Sequence, residues 1–442
     1  MRTKEYDQFI GMETFTASSP GIGGRLKQHP EDFVVQEIAL DGSIAPLEPQ
    51  THPYPDQRGK FTAFFMVKRN EDTLQAIRRL SRVVGVSSKR FSFAGIKDRR
   101  AVTSQQVSYR GLPQDLVGRH IPGIQILHPH RVPKPIVPGA LRGNRFSLTV
   151  RDIEVPVAEA LRRIEQIHQE IVTVGGVLNF FGPQRFGVVR PTTHLIGKQI
   201  VLANYEEAIR ILLEGNAADY PSLRSSFEEE STENDARYVE PVQQGTYERA
   251  IQHYLNKHPG AYHESLTVLP KDLARLYVHA YQSYLFNRTL SRRVQQGISL
   301  RVPTVGDYTM PVQGRISMVR PVTKDTVSQM EKAVLAGKQM LVVPIIGYDF
   351  EHVELEGSPG DILTSILIEE AITPGQFRLK ALPKLSSRGT FRPVLVTPEE
   401  FRTSLDKGGN GPAIQVGFDL AKGSYASVVM REFIKPEYPT QL

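Results

Sequence analysis

Apolar and polar positions change their period along the chain, and those changes mark the elements. Phe33–Leu40, FVVQEIAL, has the character of a strand, fed by a turn at Pro30, Glu31 and Asp32. A second strand is predicted at Phe61–Lys68. Asp72 then offers an N-cap. Leu74, Ile77, Leu80 and Val84 recur at helical spacing, and Gly85 closes the helix. Phe91 and Phe93 make a short strand, Gly95 breaks it with a backbone geometry other residues resist, and Val102–Tyr109 is extended again. Further strands fall at Ile124–His128 and Gly143–Ile153, either side of a proline-rich loop at Val132–Gly139. A helix over Val157–Thr173 carries Leu161, Ile164, His168 and Ile171 on one stripe. Strand, helix, strands and helix in that order predict an α+β fold: a mixed or antiparallel sheet covered by helices.

The character shifts after NFFGPQRFG, Asn179–Gly187. Helices and polar linkers follow at Tyr205–Glu214, Thr246–Leu255 and, longest of all, Lys271–Gln296. Tyr277, Tyr281 and Tyr284 lie on one side of that last helix, where core packing explains them. The acidic run EEESTEND, Glu228–Asp235, repels a polyanion. Leu300–Ile346 alternates proline-bounded strands with a helix near Lys324–Leu335, and Asp361–Ile372 is a short apolar helix. Residues 180–393 therefore form an inserted domain between the two parts of the first, 1–179 and 394–442. The chain ends on a strand, a turn at Gly423 and a helix with Val428, Val429 and Phe433 inward, Ser424 being its expected N-cap.

Composition narrows the chemistry. A chain of 442 residues exceeds one ordinary core, and 54 basic against 47 acidic residues, a net +7, suits a polyanion partner. With no cysteine, disulfides and thiolate nucleophiles are excluded. No apolar run approaches membrane-spanning length and no leader is visible, so a cytoplasmic protein is expected. The glycines at 21–24 open no phosphate loop, and Rossmann, kinase and GxSxG signatures are missing. His128 and His130 lack a third ligand at useful spacing, so no metal site is expected.

The richest stretch is Arg90–Arg110, RFSFAGIKDRRAVTSQQVSYR. It sets one acid, Asp98, on a turn between two strands among Arg90, Lys97, Arg99, Arg100 and Arg110. Neighbouring positive charge keeps a carboxylate ionised, ready as nucleophile or general base. The same residues also fit a turn aspartate paired to an arginine. In GNRF, Asn144 could bond the edge of a base and Phe146 stack on its face, or they could form a turn and core. Gln184 and Arg185 can reach a phosphate or base from the stiff turn, while Arg388, Arg392 and Lys422 are candidate phosphate contacts or solvated surface charges.

FAGIKDRRAVTSQ resembles the signature of the TruD family of tRNA pseudouridine synthases. So do EDFVV after Lys27, GNRF, NFFGPQRFG, HAYQSYLFN and GSYA, in family order. The resemblance implies a pseudouridine synthase catalytic domain carrying an inserted TruD-specific domain. It implies Asp98 as the catalytic residue, with Lys27, Phe33, Asn144, Phe146 and Tyr425 at the substrate. The implied reaction turns a uridine of tRNA, at position 13, into pseudouridine. The glycosidic bond is cut, the uracil turns over, and C5 rejoins the sugar, with no cofactor and no metal. Asp98 would attack the anomeric carbon or remove a sugar proton. The expected partner is tRNA, with no membrane and no protein partner evident. The alternatives are a non-catalytic RNA-binding protein on the same scaffold, and the same activity on other RNAs.

Overall fold

The structure is a computed structural model. It describes residues 3–51, 54–188, 190–215, 245–312, 314–353, 355–406 and 411–442. The acidic run Glu228–Asp235 lies outside the described residues. The chain divides into two compact units, each made of separated stretches. A sheet unit comprises Ser19–Ile167, Val396–Pro436 and Gln441–Leu442, and a helical unit comprises Met1–Ser18, His168–Leu395 and Glu437–Thr440.

The sheet unit is built on strands β1 (Phe33–Ile38), β2 (Phe61–Arg69), β3 (Phe91–Phe93), β4 (Val102–Tyr109), β5 (Ile124–Val132), β6 (Gly143–Val150), β7 (Glu399–Asp406) and β8 (Ala413–Ala421). Their order is β7-β8-β6-β1-β4-β2-β5, with β3 paired to β4. β1 and β4 run parallel and the other pairs antiparallel, so the sheet is mixed, as the α+β reading expects. β1 stops short of the predicted Leu40, which is exposed.

Helix α1 (Thr73–Val84) starts where its cap predicts. The Asp72 carboxylate accepts from the Leu74 N–H at 2.8 Å and the Gln75 N–H at 3.1 Å. Gly85 closes the helix in the left-handed region at φ +74. Its buried face is Ala76, Ile77 and Leu80, packed with Phe64, Met66 and Val107. Leu74 is exposed, outside the stripe that its spacing predicted. Helix α2 (Ala426–Ile434) buries Val428, Val429 and Phe433, but Ser424 does not cap it. Ser424 belongs to the preceding turn, where its N–H donates to the Ala421 carbonyl, and the cap position falls to Tyr425 without a side-chain bond.

Register puts selected side chains on one face of the sheet, because directly paired residues point the same way. A single row crosses four strand boundaries: Lys68 pairs with Thr103, Thr103 with Val35, Val35 with Phe146, and Phe146 with Phe418. The neighbouring row holds Glu37, Asn144 and Leu420. The candidate chemistry and the apolar core therefore share one face.

The helical unit is organised by helix Lys271–Gln295. Its residues Val278, Tyr281 and Leu285 join a core with Ile196, Ile200, Leu212 and Ile366. Tyr281 and Tyr284 donate their hydroxyls to the two oxygens of Glu370, at 3.2 and 3.4 Å, so these tyrosines are core. A second sheet orders strands Thr390–Pro393, Gln339–Ile345, Tyr308–Pro311 and Arg320–Pro321. The helices predicted near 324–335 and at 361–372 are Val327–Leu335 and Gly357–Glu369. Among the described residues no helix is long and apolar enough to cross a membrane.

Candidate active site

Asp98 sits where the sequence puts it, on the loop joining β3 to β4. The loop is irregular but tied down throughout. The Ala94 carbonyl accepts from the Gly139 N–H at 2.7 Å, the Gly95 carbonyl from the Gln105 amide at 2.9 Å, and the Ala101 carbonyl from the Asn70 N–H at 3.0 Å. The Lys97 N–H donates to the Thr73 hydroxyl at 3.1 Å. Gly95 does not take the left-handed backbone expected of it, and a Cβ there would meet nothing within 4 Å. The left-handed residue at this site is Lys27, at φ +58. A lysine held in that region pays a steric cost that the surrounding structure must offset.

Two cations distant in sequence are braced on Asp98. Lys27 Nζ lies 3.8 Å from Asp98 Oδ1, an ion pair longer than a tight hydrogen bond. Lys68 Nζ donates to the Asp98 main-chain carbonyl at 2.6 Å. Lys97, counted by sequence among the surrounding bases, turns into the sheet and pairs with Glu37 at 2.9 Å, both side chains being buried. Arg99 and Arg100 are exposed, and Arg100 donates to the Gln28 carbonyl at 2.9 Å.

Lys27 is strongly perturbed. Burial pushes its ammonium below the ordinary lysine pKa, the Asp98 carboxylate opposes that shift, and Arg100 adds to it. Its Nζ also lies 4.2 Å from the centre of the Phe33 ring, a cation–π arrangement. Phe33 meets Phe146 edge to face, centroids 6.2 Å apart, and Phe146 meets Phe418 at 5.7 Å. Asp98, Lys27, Phe33 and Phe146 thus form one chain of contacts. Phe33 and Phe146 are 2% and 5% exposed, so in this arrangement they form an apolar floor and not an open stacking face.

Asn144 lies inside β6 and forms no turn. Its Oδ1 is buried without a hydrogen-bond partner among the described residues, as is the Thr103 hydroxyl. Beside it, Arg145 clamps Asp419 with two bonds of 2.8 Å, fixing β6 against β8. Tyr425 is half-buried, just past the end of β8, where Leu420 pairs with Asn144 and Ala421 with Gly143. Chain order thus brings Tyr425 to the Asn144 end of the face. Lys422, a candidate phosphate contact, donates to the Gly139 carbonyl at 2.9 Å.

The other candidates belong to the helical unit. Arg392 donates to both the main-chain and side-chain oxygens of Asn179, at 2.9 and 2.6 Å, and lies 4.2 Å over Phe181. It is a structural tie, neither a solvated surface charge nor an open phosphate contact. Arg185 also lies over Phe181, at 5.4 Å, and Arg388 pairs with Asp349 at 2.9 Å. In the sheet unit, His128 and His130 of β5 flank Tyr54, with ring centroids 5.4 and 5.2 Å away.

Sequence reasoning missed Lys68, Glu37 and Thr103. A signal for Lys68 was available: in Phe61–Lys68 it falls in phase with Phe64 and Met66, the buried face of the strand.

Comparison with known proteins gives this geometry its class. The profile of the family tRNA pseudouridine synthase D (TruD) matches residues 9–433. A protein of Methanosarcina acetivorans named "Probable tRNA pseudouridine synthase D" is 34% identical, with 100% of this chain and 99% of that protein covered. A Thermococcus sibiricus protein of the same name is 32% identical over 98% of this chain and 99% of its own. The crystal structure of a TruD protein from Methanosarcina mazei superposes with a TM-score of 0.80 at 33% identity, covering 100% of both chains. The fold is that of a pseudouridine synthase, an isomerase acting on uridine within RNA. Within that class, the chain belongs to the tRNA pseudouridine synthase D family.

Proposed function

We propose that this protein isomerises uridine 13 of tRNA, with Asp98 as the catalytic residue. The observation that carries the reading is the Asp98 carboxylate held 3.8 Å from the largely buried Lys27 ammonium, which itself rests on the Phe33 ring. Breaking the glycosidic bond develops positive charge on the sugar, and a carboxylate is the chemical type that stabilises or captures it. Attack on the anomeric carbon and removal of a sugar proton both require Asp98 ionised, and Lys27 favours that state. Lys27 also offers a positive charge to the uracil as it departs.

The target nucleotide leaves its stack at a cost of a few kcal/mol. The floor of Phe33 and Phe146 and the ring of Tyr425 offset that cost by burying the base. The Asn144 carbonyl, buried and unbonded, would accept the N–H that lies between the two carbonyls of a uracil edge. The flanking tRNA binds through phosphates, in keeping with the net charge of +7. The compartment that fits this substrate is the cytoplasm. Residues 180–393 act as the family's inserted domain. The test is to incubate the protein with unmodified tRNA and map pseudouridine chemically. Modification confined to position 13 supports the reading. No pseudouridine, or pseudouridine only in other RNAs, overturns it.

A further inference from the structure

We infer that Lys68 is a positioning residue for the reaction, holding Asp98 in its working geometry through the main-chain carbonyl of Asp98 itself. The inference rests on the catalytic role proposed for Asp98.

The observations converge on one ammonium group. Lys68, next to last in β2 and on its buried face, is 0% exposed and donates to the Asp98 carbonyl at 2.6 Å. That is the shortest of the bonds described above that tie down the loop, and it is made at the reacting residue. The other ties, to Gly139, Gln105, Asn70 and Thr73, are made with neutral groups and hold residues on either side. Burying an ammonium is costly, and a carbonyl is a weaker partner than a carboxylate. A neutral side chain would tie a loop more cheaply, so a role confined to stability does not account for a lysine.

The charge has a consequence at this place. Burial lowers the pKa of the Lys68 ammonium, Asp98, Asp72 and Glu71 oppose that shift and Lys97 adds to it, for a net value of about 8. Lys27 meets the carboxylate of Asp98 and Lys68 meets its carbonyl, so the residue is gripped at both ends. Across the strand pair Lys68 faces Thr103, which places the grip in the row that runs through Val35 to Phe146. A carboxylate held from two sides keeps its distance to a sugar carbon. Displacement of such a group by about 1 Å costs on the order of a hundredfold in rate.

The experiment uses the full chain and an unmodified tRNA transcript carrying 5-tritiated uridine, with tritium release followed in single turnover. Lys68→Met, Lys68→Gln and Asp98→Asn are compared with the natural protein. Lys68→Met is expected to lose on the order of a hundredfold in the rate of the chemical step. The half-saturating tRNA concentration should stay within about threefold, because a positioning group acts on the reaction and not on binding. Lys68→Gln, which keeps a donor, should recover at least about tenfold of that loss. If Lys68→Met does not fold, Lys68→Gln is compared directly with the natural protein, and a rate loss at unchanged half-saturation is expected. A Lys68→Met rate within twofold of the natural protein overturns the inference, as does a loss that appears as weaker tRNA binding. So does a glutamine variant no better than methionine. If Asp98→Asn turns over normally, the proposed role of Asp98 fails. If Asp98→Asn is inactive and Lys68→Met is normal, only the Lys68 inference fails.

Discussion

Both units bury charge next to aromatic rings, but they do so differently. In the helical unit, Glu370 accepts from Tyr281, Tyr284 and Arg288 and pairs with Lys198 at 2.7 Å. Arg293 and Asp307, each 2% exposed, form a double-bonded pair at 2.5 and 3.0 Å. In the sheet unit, Lys27 stands 3.8 Å from its counter-charge and Lys68 has a carbonyl for a partner. Asn144 and Thr103 keep buried oxygens with no bond. The Glu370 and Arg293 clusters direct their charges at each other, as the buried Lys97–Glu37 pair of the sheet unit also does, although the helical unit leaves buried atoms such as Arg190 Nε unbonded among the described residues. The group around Asp98 couples a loose ion pair to a lysine on a carbonyl and unbonded oxygens on one sheet face, capacity that a substrate can take up.

That contrast can be broken at several points. Asp98 apart, the largest effect on the rate falls on Lys27→Met. It should lower the single-turnover rate by about a hundredfold to a thousandfold, since it removes a charge facing Asp98. Its melting temperature should hold, because the removed ammonium is one that burial disfavours. A variant that melts early and reacts normally would move Lys27 into the structural class. Next comes Glu370→Leu, which strands Arg288 and Lys198. Urea unfolding should show a loss of about 3–5 kcal/mol, with the rate per folded molecule unchanged.

Asn144→Ala ranks third. Its Oδ1 has no bond to lose in the free protein, so stability should stay within about 0.5 kcal/mol. The rate on tRNA should fall by about ten- to a hundredfold, the worth of one buried hydrogen bond to substrate. The last effect, small at any one pH near neutrality, is a pH dependence in the helical unit. Burial among Phe9, Phe186 and Tyr284 lowers the His194 pKa from 6.5 to about 3, so His194 folds neutral. As pH falls below about 6.5, the unfolded chain takes up the proton first. His194 therefore subtracts up to about 1.4 kcal/mol of stability per pH unit until its folded pKa is reached. His194→Phe should flatten the dependence in melts between pH 4 and 7, while the pH profile of the chemical step stays the same.

Much of the sheet unit was legible in the sequence because its signals are local. Asp72 and Gly85 bound α1, period-2 runs mark the strands, and the charged turn between Phe93 and Val102 isolates Asp98. What joins these pieces is not local. Lys27 reaches Asp98, Glu37 reaches Lys97 and Lys68 reaches the Asp98 carbonyl only through the pairing of β1, β2 and β4. Charge proximity along the chain therefore pointed to Lys97, which turns into the sheet to pair with Glu37, and missed Lys68. Ser424 failed as a cap because a turn claimed it first. The exposed Leu74 shows that helical spacing alone cannot separate the buried stripe from the rim.

The account turns on the carboxylate of Asp98 doing chemistry while the rest of the chain holds RNA. Asp98→Asn keeps the size and shape of the side chain and removes its charge. The account predicts that single-turnover tritium release from 5-tritiated tRNA falls by at least about a thousandfold while the tRNA dissociation constant changes less than about threefold. Turnover within tenfold of the natural protein, or equal losses of turnover and binding, would contradict it.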